Sequence, residues 1–122
     1  MNSAETADLE QLVDSWLTFD EAGSQLGATK NKVRQWASER ELIALRTRSS
    51  REPRIPADCI DNGKIVKGLG GTLVLLADSG FNDEEAAVWM FTVDDSLPGR
   101  PIDALRENRP GEVRRRAQSL AF

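Results

Sequence analysis

Leu17-Thr18-Phe19-Asp20-Glu21-Ala22-Gly23-Ser24-Gln25-Leu26-Gly27-Ala28-Thr29-Lys30-Asn31-Lys32-Val33-Arg34-Gln35-Trp36 holds two helix starts and one helix stop. Thr18 and Glu21 have the spacing of a capping box, in which the hydroxyl takes one orphan amide and the carboxylate reaches back to another. This predicts a helix from Phe19 to Leu26. Gly27 stops it by supplying the left-handed conformation a tight turn needs. Thr29 caps a second helix from Lys30 to about Glu41, with Val33, Trp36 and Ala37 as its apolar stripe. Around Gly27, the small Gly23 lies four before, Leu26 one before, Val33 six after and Trp36 nine after. That spacing lets two short helices approach closely and fills the wedge between them. The second helix then exposes Lys30, Asn31, Lys32, Arg34, Gln35 and Ser38, residue types able to read base edges and hold phosphates.

After the helix pair, Leu42-Ile43-Ala44-Leu45 is apolar and β-prone, Arg46 to Pro53 is a polar loop, and Arg54-Ile55-Pro56 returns. Two short strands around that loop make a hairpin, with Pro53 and Pro56 marking the return as an edge. Asp61-Asn62-Gly63-Lys64 carries a turn signal and the expected module boundary. Beyond it the periodicity is helical. An apolar helix runs from about Leu69 to Gly80, and Asn82-Asp83-Glu84-Glu85 caps a second that carries Ala86, Ala87, Trp89 and Met90. Pro98 to Pro101 forms a loop, followed by short helices at Ile102–Glu107 and Glu112–Leu120. The fold class is mainly α with a small β-hairpin wing: a winged helix-turn-helix over residues 16–62, a small helical C-terminal module over 63–122, and a flexible acidic tail over 1–15.

The net charge of −4 hides a strong asymmetry. Residues 1–29 hold six acids and no base, whereas residues 30–54 hold eight bases against Glu39, Glu41 and Glu52, a local +5. Binding responds to the local field, so a 25-residue basic stripe in an acidic chain marks an electrostatic footprint. The wing arginines Arg46, Arg48, Arg51 and Arg54 are too polar for a core, which leaves solvent or phosphate, and their number on one hairpin favours phosphate or minor-groove contact.

Composition narrows the chemistry. The chain has 122 residues, 39% hydrophobic and 30% charged, a balance suited to one soluble domain or two small modules sharing a core. No apolar run reaches the ~20 residues of a membrane span and no signal peptide is evident, so a cytoplasmic, nucleoid-associated protein without a membrane partner is expected. With a single Cys59 and no His, an internal disulfide, the usual zinc sites and His-based acid/base catalysis drop out. The acid pair Glu84-Glu85 serves a helix dipole, and no nucleophile has a base. No enzyme, cofactor or metal site is expected.

Leu17 through Gly27, Lys32-Val33-Arg34-Gln35-Trp36, Arg46 and Arg54-Ile55-Pro56 resemble the MerR/excisionase type of winged helix-turn-helix. The whole of residues 16–122 is more specifically similar to a small group of actinobacterial DNA-binding regulatory proteins. Val66-Lys67, Trp89-Met90-Phe91-Thr92, Arg100-Pro101-Ile102-Asp103-Ala104-Leu105 and Val113-Arg114-Arg115-Arg116-Ala117-Gln118 carry the likeness in the second half. The resemblance implies a transcription regulator that binds double-stranded DNA. The group includes a substrate of a membrane Ser/Thr protein kinase, which implies such a kinase as partner and Thr6 as the candidate phosphorylation site. No dimerising coiled coil or Cys-based effector site follows the wing, so metal or redox sensing is not implied.

Other features carry plainer readings beside these. Trp16, Trp36 and Trp89 are expected as core anchors, with base stacking as the alternative. Cys59 reads as a small buried hydrophobe. Arg114 to Arg116 fan over some 200° of helix, so at most two share a face, and a helix-end or salt-bridge role is expected. The competing function is a protein-interaction module, antitoxin-like or adaptor, acting through the C-terminal half with its Trp89-Met90-Phe91 and Pro98-Gly99-Arg100-Pro101 segments.

Overall fold

The computed structural model describes residues 9–48, 50–97 and 99–120. It is mainly helical with small antiparallel β elements. After a helical turn at 9–12 come β1 (Trp16–Leu17), α1 (Phe19–Leu26) and α2 (Lys30–Ser38). Then follow β2 (Ile55–Pro56), a 3-10 turn (Ala57–Cys59), β3 (Ile60–Asp61), β4 (Lys64–Ile65), α3 (Leu69–Asp78), α4 (Asp83–Phe91), α5 (Pro101–Arg106) and α6 (Pro110–Gln118).

The caps form as the sequence dictates. The Thr18 hydroxyl accepts from the Glu21 amide at 3.0 Å while the Glu21 carboxylate accepts from the Thr18 amide at 2.8 Å. Gly27 sits at φ 67°. Thr29 caps α2 through the Lys32 amide at 3.0 Å, and Asn82 with Glu85 builds a second capping box on α4. A Cβ on Gly23 would stand 2.6 Å from the Ala28 carbonyl oxygen, so the close approach expected of a small residue there is met by backbone of the inter-helix turn.

Three expectations are corrected. The segment 9–13 is not tail: Leu9 is 0% and Val13 2% exposed, because Leu9, Leu12 and Val13 repeat at i, i+3, i+4 and have a core to enter. The second helix ends at Ser38 rather than Glu41. The chain reverses there with Arg40 at φ 62°, and the Glu41 amide bonds the Trp36 carbonyl at 2.9 Å; this turns Leu42 and Ile43 into the core. The wing hairpin is held by one bridge, Leu45 to Arg54, whose return segment Ile55–Pro56 pairs instead with Trp16–Leu17. Proline has no amide to give to a longer ladder. Asn62-Gly63 forms the turn its sequence signals, as the tip of the β3–β4 hairpin, with φ of 52° and 74°, the left-handed pair that a two-residue turn requires.

Each of the last two helices starts earlier than expected, at Pro101 and Pro110, since proline at the first helical position forgoes an amide that would be unsatisfied anyway. One hydrophobic core runs through both halves, from Leu9, Phe19, Val33 and Ile55 to Leu76, Met90, Phe91, Ile102 and Val113. Trp16, Trp36 and Trp89 pack against that core while staying half-buried.

Candidate nucleic-acid interface

The apolar stripe of α2 decides which way its polar groups face. Val33 is fully buried, Trp36 and Ala37 are half-buried, and Asn31, Lys32, Arg34, Gln35 and Ser38 are exposed. Lys30 is half-buried at the first turn. Phe19 and Ala22 of α1 enter the same core as Val33, so the polar side of α2 is turned outward by the packing that holds the helix.

Weak local contacts orient the exposed groups. Arg34 donates to the Asn31 side-chain Oδ1 at 3.3 Å, Gln35 donates to Glu39 at 3.0 Å, and the Ser38 hydroxyl donates to the Gln35 backbone carbonyl at 2.9 Å. The Arg34 guanidinium stands 5.4 Å from the Phe19 ring centre and the Lys32 ammonium 5.3 Å from that of Trp36. Contacts of this kind are worth a few tenths of a kcal/mol to about 1. They limit the wandering of long side chains yet yield readily to a better partner.

Arg46, Arg48 and Arg51 are exposed and Arg54 half-buried on the hairpin loop that follows. The loop is closed by its own bonds: Arg46 donates to the Arg51 carbonyl at 3.4 Å, the Ser50 amide to the Thr47 carbonyl at 3.3 Å, and the Ser50 hydroxyl to the Glu52 carbonyl at 2.7 Å. From outside the loop, the Glu10 carboxylate accepts from the Arg48 amide. Sequence reading passed over Glu10 because it counted only as one of the acids of the tail. The neighbouring Leu9, Leu12, Val13 stripe was the available signal.

In the second half Arg100, Arg106 and Arg109 form ion pairs. Arg100 pairs with Asp103 at 2.8 Å and Asp58 at 3.1 Å, and Arg106 donates to the Asp58 and Ile60 carbonyls at 2.8 and 2.9 Å. These bonds clamp α5 onto the 3-10 turn and β3. Arg114, Arg115 and Arg116 are exposed, with Arg115 and Arg116 in the last turn of α6, where cations suit the helix dipole. Hydrogen bonds from Arg100 hold the Asp103 carboxyl below the usual carboxylate range. Burial and the adjacent Asp58 push the Cys59 thiol up to about 12, in keeping with a packing role.

Among the described residues no group of three or more His, Cys, Asp or Glu side chains is placed to hold a metal ion, and no helix is long and apolar enough to cross a membrane. Thr6 lies outside the described residues.

Residues 66–121 match the family model of the Rv2175c C-terminal domain of unknown function. Over 110 aligned residues the chain is 37% identical to DNA-binding protein Rv2175c of Mycobacterium tuberculosis (strain ATCC 25618 / H37Rv), covering 80% of this chain and 74% of that protein. The chain belongs to the Rv2175c family. The NMR structure of Rv2175c superposes with a TM-score of 0.79 at 33% identity, covering 88% of this chain and 82% of the other. This Rv2175c-family chain therefore shares its relative's fold across both the α1–α2 pair and the C-terminal helices, and the expected kinship with an actinobacterial group is met.

Proposed function

We propose that this protein binds double-stranded DNA and regulates transcription, laying α2 in the major groove and the wing loop on the flanking backbone or minor groove. The observation that carries the reading is the split of α2. Val33 is fully buried while Asn31, Lys32, Arg34, Gln35 and Ser38 face out beside a hairpin that carries Arg46, Arg48, Arg51 and Arg54. In this reading Lys30, Lys32, Arg46, Arg48, Arg51 and Arg54 meet phosphates, and Asn31, Arg34, Gln35 and Ser38 meet base edges. The name of the M. tuberculosis relative, DNA-binding protein, supports it. The MerR/excisionase likeness and the term winged helix-turn-helix belong to the same proposal, as do a non-enzymatic role and a place on the nucleoid. So does modification of Thr6 by a Ser/Thr kinase, which would add about −1.5 to −2 charge to an acidic segment.

A protein partner on the C-terminal half is the second reading. It rests on Val93, 66% exposed beside the half-buried Trp89 and the acids Asp94 and Asp95, a small apolar spot with a charged rim.

The test is a titration of the labelled chain with a duplex at several salt concentrations, read by amide chemical shifts and by anisotropy. Shifts should cluster on α2 and residues 45–54, affinity should fall steeply with salt, and Arg51→Ala should lower the log-log slope by about 1. No binding at ~50 mM salt, or shifts confined to the surface around Val93, refutes the DNA reading and favours the second.

A further inference from the structure

We propose that Glu10 is a positioning residue for the wing: the N-terminal segment 9–13 acts as a brace that sets the shape in which the arginine loop meets DNA. The inference deepens the reading of residues 45–54 as a DNA-contacting hairpin and rests on it.

The wing is poorly tied by its own ladder. Among the described residues one bridge, Leu45 to Arg54, closes its base with bonds of 2.9 and 2.8 Å, and Arg46, Thr47, Ser50 and Arg51 bond within the loop. Such bonds close the loop on itself. Glu10 reaches the loop from outside, accepting the Arg48 backbone amide across 38 residues of sequence. A bond to the backbone fixes the loop's path and leaves the Arg48 side chain to its own contacts.

The brace is itself anchored at several points. Leu9 and Val13 are 0% and 2% exposed, so Glu10 projects from a turn whose apolar face is locked in the core. The Ser15 carbonyl accepts from the Ala57 amide at 2.9 Å, and the Leu12 carbonyl accepts from Arg100 at 3.5 Å. Arg100 is in turn held by Asp58 and Asp103. The wing is thus referenced to the C-terminal helices through residues 9–15 as well as to α2 through the chain itself. On backbone hydrogen bonding and burial alone, an acid that brings a negative charge next to a phosphate-seeking loop acts there as an anchor.

Charge and position predict opposite signs for Glu10, which makes the idea testable. As a charge on the loop that carries the wing arginines, Glu10 repels phosphate, so removing it should tighten binding. As an anchor, removing it should loosen the loop and weaken binding. In the full chain, Glu10→Gln removes the charge and keeps a side-chain carbonyl acceptor, whereas Glu10→Ala removes both. The expected result is that Glu10→Gln binds a duplex as tightly as the parent or more so, with an unchanged salt slope. Glu10→Ala should bind about threefold to tenfold more weakly than Glu10→Gln, the effect of losing the one neutral hydrogen bond that Gln keeps, with its slope reduced by about 1. In the free protein the Arg48 amide proton should move upfield in Glu10→Ala while the amides of α2 stay in place, a readout that a general loss of stability would not give. Glu10→Ala binding as well as Glu10→Gln, or an Arg48 amide that does not move, overturns the inference while leaving DNA binding by the parent intact. A parent chain that binds no duplex at low salt overturns the functional reading and the inference with it.

Discussion

Gly23→Ala and Gly71→Ala make the same chemical change at helical positions of the same chain, and the structure gives them opposite signs. Alanine is favoured over glycine inside a helix by roughly 0.5–1 kcal/mol. At Gly71 an added Cβ meets nothing within 4 Å, so the propensity gain should appear in full as a stabilisation of about 0.5–1 kcal/mol. At Gly23 the Cβ would stand 2.6 Å from the Ala28 carbonyl oxygen. That oxygen cannot swing aside cheaply. The Ala28 amide is bonded to the Gly23 carbonyl at 2.9 Å, and the next residue, Thr29, caps α2. Overpacking of this kind costs typically 1–3 kcal/mol or more, so after the propensity gain a net loss of about 1–2 kcal/mol remains. For a chain of this size that is about 4–8 °C in Tm. Relief of the clash requires α1 and α2 to separate or rotate, so duplex affinity should also fall when measured well below the variant's Tm. Thermal or urea unfolding of both variants checks the sign. A Gly23→Ala protein as stable as Gly71→Ala would show that Gly23 is not in close contact with the turn between α1 and α2.

Trp36→Ala should cost about 2–3 kcal/mol, below the 3–5 typical of a fully buried aromatic, because the indole is half-buried; urea unfolding measures it, and a loss under 1 kcal/mol would place the ring outside the wedge. Asp103 has its carboxyl held low by hydrogen bonds from Arg100, so its contribution is full above the unfolded-state value of about 3.9 and is lost as pH falls through the lower folded value. Asp103→Asn should lower stability by about 1–2 kcal/mol at neutral pH, discounted for partial exposure, and flatten the acid limb of the stability profile below about pH 4. Equal acid sensitivity in parent and variant would remove Asp103 from that role. Cys59, fully buried with its thiol pushed up to about 12, should resist a soluble thiol reagent in the native chain and react at the rate of global or local unfolding; rapid labelling without denaturant would contradict its burial.

The helix pair was legible because each of its boundaries has a local cause. Thr18 with Glu21, Gly27, and Thr29 act within four residues of where they sit, and Gly23 advertises a close approach by lacking a side chain. The positions that were not legible depend on distant partners. No property of Arg40 announces φ 62°; it takes that conformation because Leu42 and Ile43 must turn inward just after it. Ile55 and Pro56 look like the return strand of the hairpin, but they pair with Trp16 and Leu17, a choice made by the packing of the whole and invisible to a window of neighbours. Leu9, Leu12 and Val13 did carry a helical stripe, masked by the acids around them and by its shortness.

The same contrast governs the candidate site. The charge asymmetry of residues 1–54 is written in the sequence, and the burial of Val33 is enough to turn Lys32, Arg34 and Gln35 outward, so the face of α2 could be named residue by residue. What a linear reading separates, the fold recombines: residues 1–29 hold acids and 30–54 bases, yet Glu10 of the first block ends on the backbone of Arg48 in the second. A segment that reads as an acidic tail is, from Leu9 onward, packed into the core and bonded to the backbone of the arginine loop. Net charge per segment therefore locates the basic stretch. The hydrogen bonds between segments show what holds its backbone in place.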